Sequence, residues 1–295
     1  MQRRIRESLK KGFNRRKVSD YGPVDFETHK ADRPSQVLPI ATKKVVSVTK
    51  TTPIKKATEL MLDVGVRRMP VVDPGTQRVV GILTSTDVMD FLGGGEKANI
   101  VNNINQALNY PVGKLMAEKV KTLNEKATIQ EAINVFLSVG VGGLPIINKK
   151  NELQGILTIR DLMHTVSGKE IGIKVEDMMS EPVIATPNMS IPDVTKVMVK
   201  NNFFRLPVIE NNTVIGMITS MDLVRAVANS EIFSQNVLVK DIMTKRVTAA
   251  RPDTDLGQIA EIIYEKGTGA FPVISNGKLV GIITEYDVLR GVSKK

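Results

Sequence analysis

The chain has 295 residues, a length that corresponds to about two ordinary domains. It contains no cysteine, which excludes disulfide bonds, a thiol nucleophile and zinc sites with thiolate ligands. It has 8 Phe, 4 Tyr and no Trp, so its cores must be packed mainly with aliphatic side chains. No apolar run approaches the roughly 20 residues of a membrane span, and the N-terminus lacks the apolar stretch of a signal peptide. We therefore expect a soluble cytoplasmic protein.

The net charge of +10 is concentrated at the N-terminus, where residues 1–44 hold 12 Lys and Arg against 5 Asp and Glu. We interpret residues 1–36 as a basic tail. Because clustered Lys and Arg neutralise phosphates and release counterions, this tail is predicted to bind RNA. A solvated tail without a partner and an anionic membrane surface are the alternatives. The predicted RNA-binding residues are Arg3, Arg4, Arg6, Lys10, Lys11, Arg15, Arg16 and Lys17.

A string of the form Gly-x-x-Thr-x-x-Asp recurs four times along the chain. A proline stands nine to eleven residues before each of these glycines, and the apolar, β-branched runs around both predict two consecutive strands, the first opened by the proline. A helical pattern precedes each pair, with Thr52, Thr128, Ser190 and Asp255 as predicted N-caps, and a further short strand precedes each helix. The four strings are GILTSTD at 81–87, GILTIRD at 155–161, GMITSMD at 216–222 and GIITEYD at 281–287.

The repeat predicts an α/β fold of four strand-helix-strand-strand-helix units. Each unit is near the size at which a lone core is marginal, so the units are expected to pair. Three of them open on a lead-in that contains methionine, such as VGKLM at 112–116, whereas the first opens on VLPIA at 37–41. The predicted units are 37–92, 112–168, 174–228 and 238–293, with linkers at 93–111 and 229–237.

These strings resemble the cystathionine beta-synthase (CBS) domain, whose copies pair into modules that bind adenine nucleotides. The resemblance covers about residues 37–293. Four copies in one chain are similar to the gamma subunit of AMP-activated protein kinase and to its stand-alone archaeal relatives, some of which are ribosome-associated dormancy factors. The resemblance implies two paired modules that can form a flat disc, with AMP, ADP or ATP as regulatory ligands rather than catalytic cofactors.

The resemblance also implies which residues bind the nucleotide. In the family the Asp of each string binds the ribose hydroxyls, the Thr lies near the phosphate or ribose, and basic residues before the Leu-Pro pair reach the phosphates. A carboxylate can accept two hydroxyl protons and a guanidinium can grip phosphate, which agrees with these roles. The capping box is the structural alternative for the same Thr and Asp. The implied residues are Thr84, Asp87, Thr158, Asp161, Thr219, Asp222, Thr284 and Asp287, with Arg67, Arg68 and Arg205 for the phosphates.

Units two and four carry small residues, Gly142-Gly143 and Gly269-Ala270, where units one and three carry arginine. These small residues are predicted to leave room for a ligand that the partner unit's arginine holds. Arg160 is predicted to add positive charge in the first module.

No Walker, G-x-S-x-G or H-E-x-x-H motif is present, and His29 and His164 show no metal-binding partner, so we expect neither catalysis nor a metal site. The first functional hypothesis is an energy-responsive factor that docks on ribosomal RNA and inhibits translation, as a hibernation factor would. The second is a gamma-like subunit that reports AMP against ATP to a partner enzyme. A protein partner or a homodimer remains open.

Overall fold

The computed structural model describes residues 36–93, 97, 104–228 and 237–294. The basic tail, with all eight of its predicted RNA-binding residues, lies outside the described residues, as do parts of both predicted linkers. The described residues belong to one structural unit, Ser35–Lys295. None of the described helices is both long and apolar enough to span a bilayer.

Each of the four repeats folds as a β-hairpin flanked by two helices. In unit 1, α1 (Ile54–Val64) precedes the antiparallel strands β1 (Arg68–Val72) and β2 (Val79–Thr84), and α2 (Ser85–Leu92) follows directly. Helix α1 buries side chains spaced by three and four residues, which is the period of one helix face. The described chain then continues with α3 (Ile104–Leu108) and a 3-10 turn at Val112–Lys114 that opens unit 2.

The other three units repeat this order. Unit 2 comprises β3 (Leu123–Asn124), α4 (Ile129–Val139), β4 (Gly143–Ile147), β5 (Leu153–Thr158) and α5 (Ile159–Met163). Unit 3 comprises α6 (Val175–Met178), α7 (Ile191–Asn201), β6 (Arg205–Glu210), β7 (Thr213–Thr219) and α8 (Ser220–Ala228). Unit 4 comprises α9 (Val239–Ile242), α10 (Leu256–Lys266), β8 (Ala270–Ser275), β9 (Lys278–Thr284) and α11 (Glu285–Val292).

The strand predicted before the first long helix is much shorter than expected. It pairs over two residues in unit 2, where β3 runs parallel to β4. In the other units it is a single parallel bridge, at Val48–Val71, Ala185–Val208 and Ala250–Val273. The α/β class and the order of the remaining elements are as predicted.

The proline of each hairpin stands at the third position of its strand, so the prediction that it opens the strand was wrong. Pro70 lies opposite Ile82. The Ile82 amide points away from this strand and donates to the Ala117 carbonyl at 3.0 Å. The pair therefore needs no N–H from the proline, which explains why proline is tolerated inside the hairpin.

Three of the four predicted N-caps bond as expected. The side chains of Thr128, Ser190 and Asp255 accept a hydrogen bond from a backbone N–H in the first turn of the helix that follows. The prediction was wrong for Thr52, because Pro53 is the N-cap of α1 and makes no side-chain cap. The Thr52 hydroxyl instead accepts a hydrogen bond from the Thr49 amide at 3.0 Å.

Units 1 and 2 form one module and units 3 and 4 form the other, and within each module the lead-in of one unit packs on its partner. The lead-in of unit 1 bridges to unit 2 at Thr42–Ile156, and that of unit 2 bridges to unit 1 at Ile82–Ala117. Units 3 and 4 repeat the exchange at Ser180–Ile282 and Met217–Thr244. Each lead-in also buries a fully inaccessible valine: Val37, Val112, Val175 and Val239.

The glycine that opens each repeated string lets the partner's lead-in approach. A Cβ at Gly216 would lie 2.6 Å from the Met243 sulfur, and a Cβ at Gly281 would lie 2.6 Å from the Met179 sulfur. Gly81 faces Met116 in the same way. The lead-in of unit 1 has no methionine, and a Cβ at Gly155 would lie 3.1 Å from the Thr42 carbonyl and in ordinary contact with Leu38 and Ala41. The methionines noted in the sequence therefore pack across the pair.

The two modules meet through helices. Helix α2 of unit 1 packs on α8 and α7 of unit 3, and α11 of unit 4 packs on α5 and α4 of unit 2. The cores are shared: Val224 of unit 3 packs in the unit 1 core, and Met89 of unit 1 packs in the unit 3 core. Units 2 and 4 share one continuous core that includes Phe136 and Phe271.

Candidate nucleotide site

The Thr and Asp of all four repeated strings form a capping box at the start of a helix. One carboxylate oxygen of each Asp accepts hydrogen bonds from the backbone N–H and the hydroxyl of the Thr three residues earlier. In unit 4 the Thr284 amide lies 3.0 Å and the Thr284 hydroxyl 2.6 Å from Asp287 Oδ2. The capping box is therefore real, and it leaves the second oxygen, Oδ1, for another group.

The second oxygen meets a cation in three units. Arg290 donates to Asp287 Oδ1 at 3.0 Å, Arg225 to Asp222 Oδ1 at 3.2 Å, and Lys97 lies 3.5 Å from Asp87 Oδ1. No described cation lies within ion-pair distance of Asp161. Burial raises the pKa of both Asp161 and Asp222, partly offset by the hydrogen bonds from their threonines.

A cavity of about 450 Å³ lies where the four units meet. Thr284 and Asp287 of unit 4 line it together with Arg67 and Arg68 of unit 1 and Arg205 of unit 3. Its apolar wall includes Val183, Phe203 and Ile282.

Four arginines converge beside this cavity. Arg67 donates to Glu285 Oε1 at 2.8 Å, and its guanidinium carbon lies 5.8 Å from the centre of the Phe204 ring. Arg160 of unit 2 donates to the Gly267 carbonyl of unit 4 at 2.5 Å, while its buried Nε has no hydrogen-bond partner among the described residues. Arg160 thus reaches from the first module into the second, although the sequence placed its charge in the first.

Arginines from units 1 and 3 fill the space beside the small residues of units 2 and 4. A Cβ at Gly142 would lie 2.9 Å from Arg68 Nη2, and a Cβ at Gly269 would lie 2.9 Å from Arg205 Nη1. Gly143 also abuts Arg68. The glycines therefore make room for the guanidinium groups, which in turn face the cavity.

Positive charge exceeds negative charge in this cluster. Burial, reinforced by the neighbouring Arg67, holds the pKa of Arg68 and of Arg205 below the ordinary arginine value, and burial also lowers the pKa of Arg160. Burial by itself would raise the pKa of Glu285, but Arg67, Arg205 and Arg160 hold it below its usual range. A site where ionised arginines lie close together with one carboxylate among them favours binding of a further anion.

The structure brings five of the twelve predicted nucleotide-binding residues to this cavity and Arg160 to the arginine cluster. The pairs Thr84 with Asp87, Thr158 with Asp161 and Thr219 with Asp222 are not among the residues that line it. Sequence reasoning missed Glu285. The signal was available, since the position after the Thr of each string is Ser85, Ile159, Ser220 and then Glu285.

The described histidine has a packing contact, and the described residues form no metal site. His164 packs edge-on against Tyr264 with ring centres 5.0 Å apart. Across the described parts of the chain, no group of three or more His, Asp or Glu side chains is placed to hold a metal ion.

The model of the CBS domain family matches residues 37–94, 112–168, 175–229 and 239–294. The chain belongs to the CBS domain family. This confirms the resemblance and the predicted fold of paired CBS units. The residue-level site assignments and the exact unit boundaries stay predictions.

One relative is similar to the chain over most of its length. The uncharacterized protein MJ1225 of Methanocaldococcus jannaschii is 40% identical over 266 residues, which is 84% of this chain and 95% of the relative. Its crystal structure, described as that of a proposed archaeal homolog of γ-AMPK, superposes with a TM-score of 0.80 at 37% identity, covering 86% of this chain and 99% of that one.

Two more distant proteins also span most of the chain. A 33.4 kDa protein in the ribosomal RNA operon of Thermofilum pendens is 27% identical over 242 residues, or 76% of this chain and 80% of the relative. A conserved protein from Pyrococcus horikoshii superposes with a TM-score of 0.58 at 23% identity, covering 87% of this chain and 99% of that one, and supports the fold alone.

Proposed function

We propose that the protein is a non-catalytic regulator that binds an adenine nucleotide, AMP, ADP or ATP, in the central cavity. The observation that carries the proposal is the placement of Thr284 and Asp287 on the same cavity as Arg67, Arg68 and Arg205. In this arrangement the Asp287 carboxylate accepts hydrogen bonds from the ribose hydroxyls, and the arginines bind the phosphates. Asp287 Oδ1 is now paired with the half-exposed Arg290, which can turn outward to make way for the ribose.

The size and lining of the cavity agree with a nucleotide. A volume of about 450 Å³ lies within the roughly 300–1,000 Å³ of small-molecule sites. Val183, Phe203 and Ile282 provide an apolar wall against which adenine can pack. The phosphates then point to the centre, where residues of all four units line the cavity. A bound nucleotide therefore contacts both modules.

Isothermal titration calorimetry of the full chain with AMP and ATP tests this proposal. Asp287→Ala should weaken the affected site by about 10- to 150-fold, because it removes a charge-assisted contact of about 1.5–3 kcal/mol. Glu131→Ala is the matched control, since Glu131 forms the same kind of capping box with Thr128 outside the cavity. Unchanged stoichiometry and affinity in Asp287→Ala would contradict the assignment.

For the output of the sensor, we propose that the basic tail docks on RNA, with the ribosome as the partner, so that translation is restrained when energy is low. The support is the net charge of +7, from 12 basic against 5 acidic residues, within residues 1–44. Sucrose-gradient sedimentation with ribosomes should place the full chain in the ribosomal fractions at low salt. A variant lacking residues 1–36 should stay at the top. Equal sedimentation of both forms would rule out docking through the tail.

The second candidate is a regulatory subunit of a partner enzyme, and the similarity to MJ1225 favours it. It requires nucleotide and partner to change each other's affinity by the same factor. Affinity purification in the presence of AMP or ATP distinguishes the two proposals. A nucleotide-dependent enzyme partner supports this candidate, and recovery of ribosomal proteins alone counts against it.

A further inference from the structure

One acidic residue lies among the arginines that the proposed function assigns to phosphate. Glu285 stands between the Thr and Asp of the fourth repeated string, where units 1 and 3 have serine and unit 2 has isoleucine. The serines of units 1 and 3, Ser85 and Ser220, hydrogen-bond to each other at 3.0 Å. Unit 4 is thus the unit that places a negative charge at this position.

The Glu285 carboxylate lies against arginine side chains that line the cavity. Its Oε1 accepts the hydrogen bond from Arg67 at 2.8 Å, and both side chains are largely buried, at 11% and 18% exposure. Its Oε2 is buried and accepts no hydrogen bond from the residues that the structure describes. A Cβ at Gly269 would lie 2.6 Å from Oε2 and 2.9 Å from Arg205 Nη1, so the carboxylate and this second arginine border the same small space.

We propose that Glu285 is a built-in counter-ion that occupies the phosphate position of the central cavity and limits the number of phosphates that a bound nucleotide carries. The inference rests on the proposed function and specifies its ligand. An incoming phosphate must share or take over Arg67 and therefore lies close to the carboxylate. Because the repulsion grows with each added phosphate charge, the cavity favours AMP over ATP.

The carboxylate is ionised at neutral pH in this setting. Burial raises its pKa, but the guanidinium groups of Arg67, Arg205 and Arg160 outweigh burial and bring the pKa below the ordinary value. A neutral side chain at this position would leave the cluster one negative charge short. The cluster would then accept a more highly charged ligand.

The test compares side chains at this one position by titration calorimetry of the full chain with AMP, ATP and inorganic tripolyphosphate. Glu285→Gln and Glu285→Ser are neutral, and serine already stands at this position in units 1 and 3. Both should tighten ATP and tripolyphosphate binding about 10-fold or more, and AMP binding by less than about 3-fold. Glu285→Asp keeps the charge and should keep the preference for AMP.

The change in affinity should occur at the same site that Asp287→Ala weakens. Glu265→Gln, on the exposed surface of α10, makes the same change in net charge and should alter each affinity by less than about 2-fold. Thermal unfolding without ligand shows which neutral variant is folded and suitable for titration.

The outcomes separate the two proposals. If the wild type binds adenine nucleotides and a folded neutral variant keeps the same ratio of ATP to AMP affinity, the counter-ion role is overturned while the nucleotide site stands. If no form binds adenine nucleotides, the proposed function fails. Tripolyphosphate then decides: tighter binding to the neutral variants supports the counter-ion, and equal or absent binding overturns it.

Discussion

The contacts within a module and the contacts between modules are built differently. Within each module the same exchange occurs in both directions, with a buried valine and a backbone bridge from every lead-in. Between modules the two sides differ. Units 1 and 3 meet through the hydrogen bond between Ser85 and Ser220, whereas the equivalent positions of units 2 and 4 are Ile159 and Glu285.

This difference shows where a repeat can diverge. Backbone bridges depend little on side-chain identity, so four similar units can all use them. The positions that face the centre lie outside this framework, and their side chains can change without altering the pairing. The arginines, the glycines that accommodate them and Glu285 all lie there. The framework is therefore repeated and the proposed binding chemistry is not.

The largest expected effect concerns the exchanged lead-ins. Val112→Ala removes two methyl groups from a fully buried side chain in the unit 1 core and should cost about 2–3 kcal/mol. Val239→Ala, the equivalent change in the other module, should cost a similar amount. Urea unfolding, monitored by circular dichroism, measures the loss of stability in both variants.

Val139→Ala is the control, because Val139 is 40% exposed at the end of α4 and should change stability by less than about 0.5 kcal/mol. If Val112→Ala and Val239→Ala differed by more than about 1 kcal/mol, the two modules would not be equivalent, and the comparison would fail on the side where we describe repetition.

The next effect concerns the centre. Gly143→Ala would place a methyl group against the Arg68 guanidinium and 2.8 Å from Arg68 Cδ, so the arginine must move. We expect a loss of about 1–3 kcal/mol in stability, with weaker nucleotide binding because Arg68 leaves the cavity wall. Differential scanning fluorimetry with and without AMP measures both. Unit 4 already carries Ala270 at this position, so the sensitivity is specific to unit 2.

Gly75→Ala serves as the control for Gly143→Ala. Gly75 lies in the exposed turn of the unit 1 hairpin, and a Cβ there would meet only the Asp73 carboxylate at an ordinary 3.6 Å. We expect Gly75→Ala to change the free energy of unfolding by less than about 0.5 kcal/mol. An equal effect of the two alanines would show that Arg68 adapts freely and is not held by the glycines.

The sequence predicted the repeated framework well because that framework is written in local patterns. The Thr-x-x-Asp strings predicted both the capping boxes and the helix starts, and each lead-in was visible as a string that opens with valine. Thr52 and the hairpin prolines were placed wrongly. The Thr52 hydroxyl bonds back to Thr49, and the residue opposite each proline is bridged by the lead-in of the partner unit. Pro70 is tolerated where it stands because Ile82, which lies opposite it, forms its backbone hydrogen bonds with Ala117, 47 positions after the proline.

The site was predicted in part for the same reason. The arginines and aspartates belong to the repeated strings, so their positions could be carried over from the family resemblance. Which of them meet depends on how the two modules pack, and no local pattern records that. Arg160 reaches Gly267, which is 107 residues away, and Arg67 reaches Glu285, which is 218 residues away. Glu285 departs from the repeat, and its role depends on these distant partners.

The smallest expected effect tests the hydrogen bond between the serines of units 1 and 3. Ser85 and Ser220 are fully buried, and each hydroxyl lies 3.0 Å from the other. Ser85→Ala should cost about 1–2 kcal/mol, because it leaves the Ser220 hydroxyl buried without this partner. The double variant should cost about 1 kcal/mol less than the sum of the two single changes, since no hydroxyl is then left unpaired. Thermal unfolding of the four forms gives this coupling, with the exposed Ser138→Ala as a control near zero. Strictly additive costs would mean that the two serines do not link the modules, and the contrast with the charged Arg67–Glu285 contact would then rest on that ion pair alone.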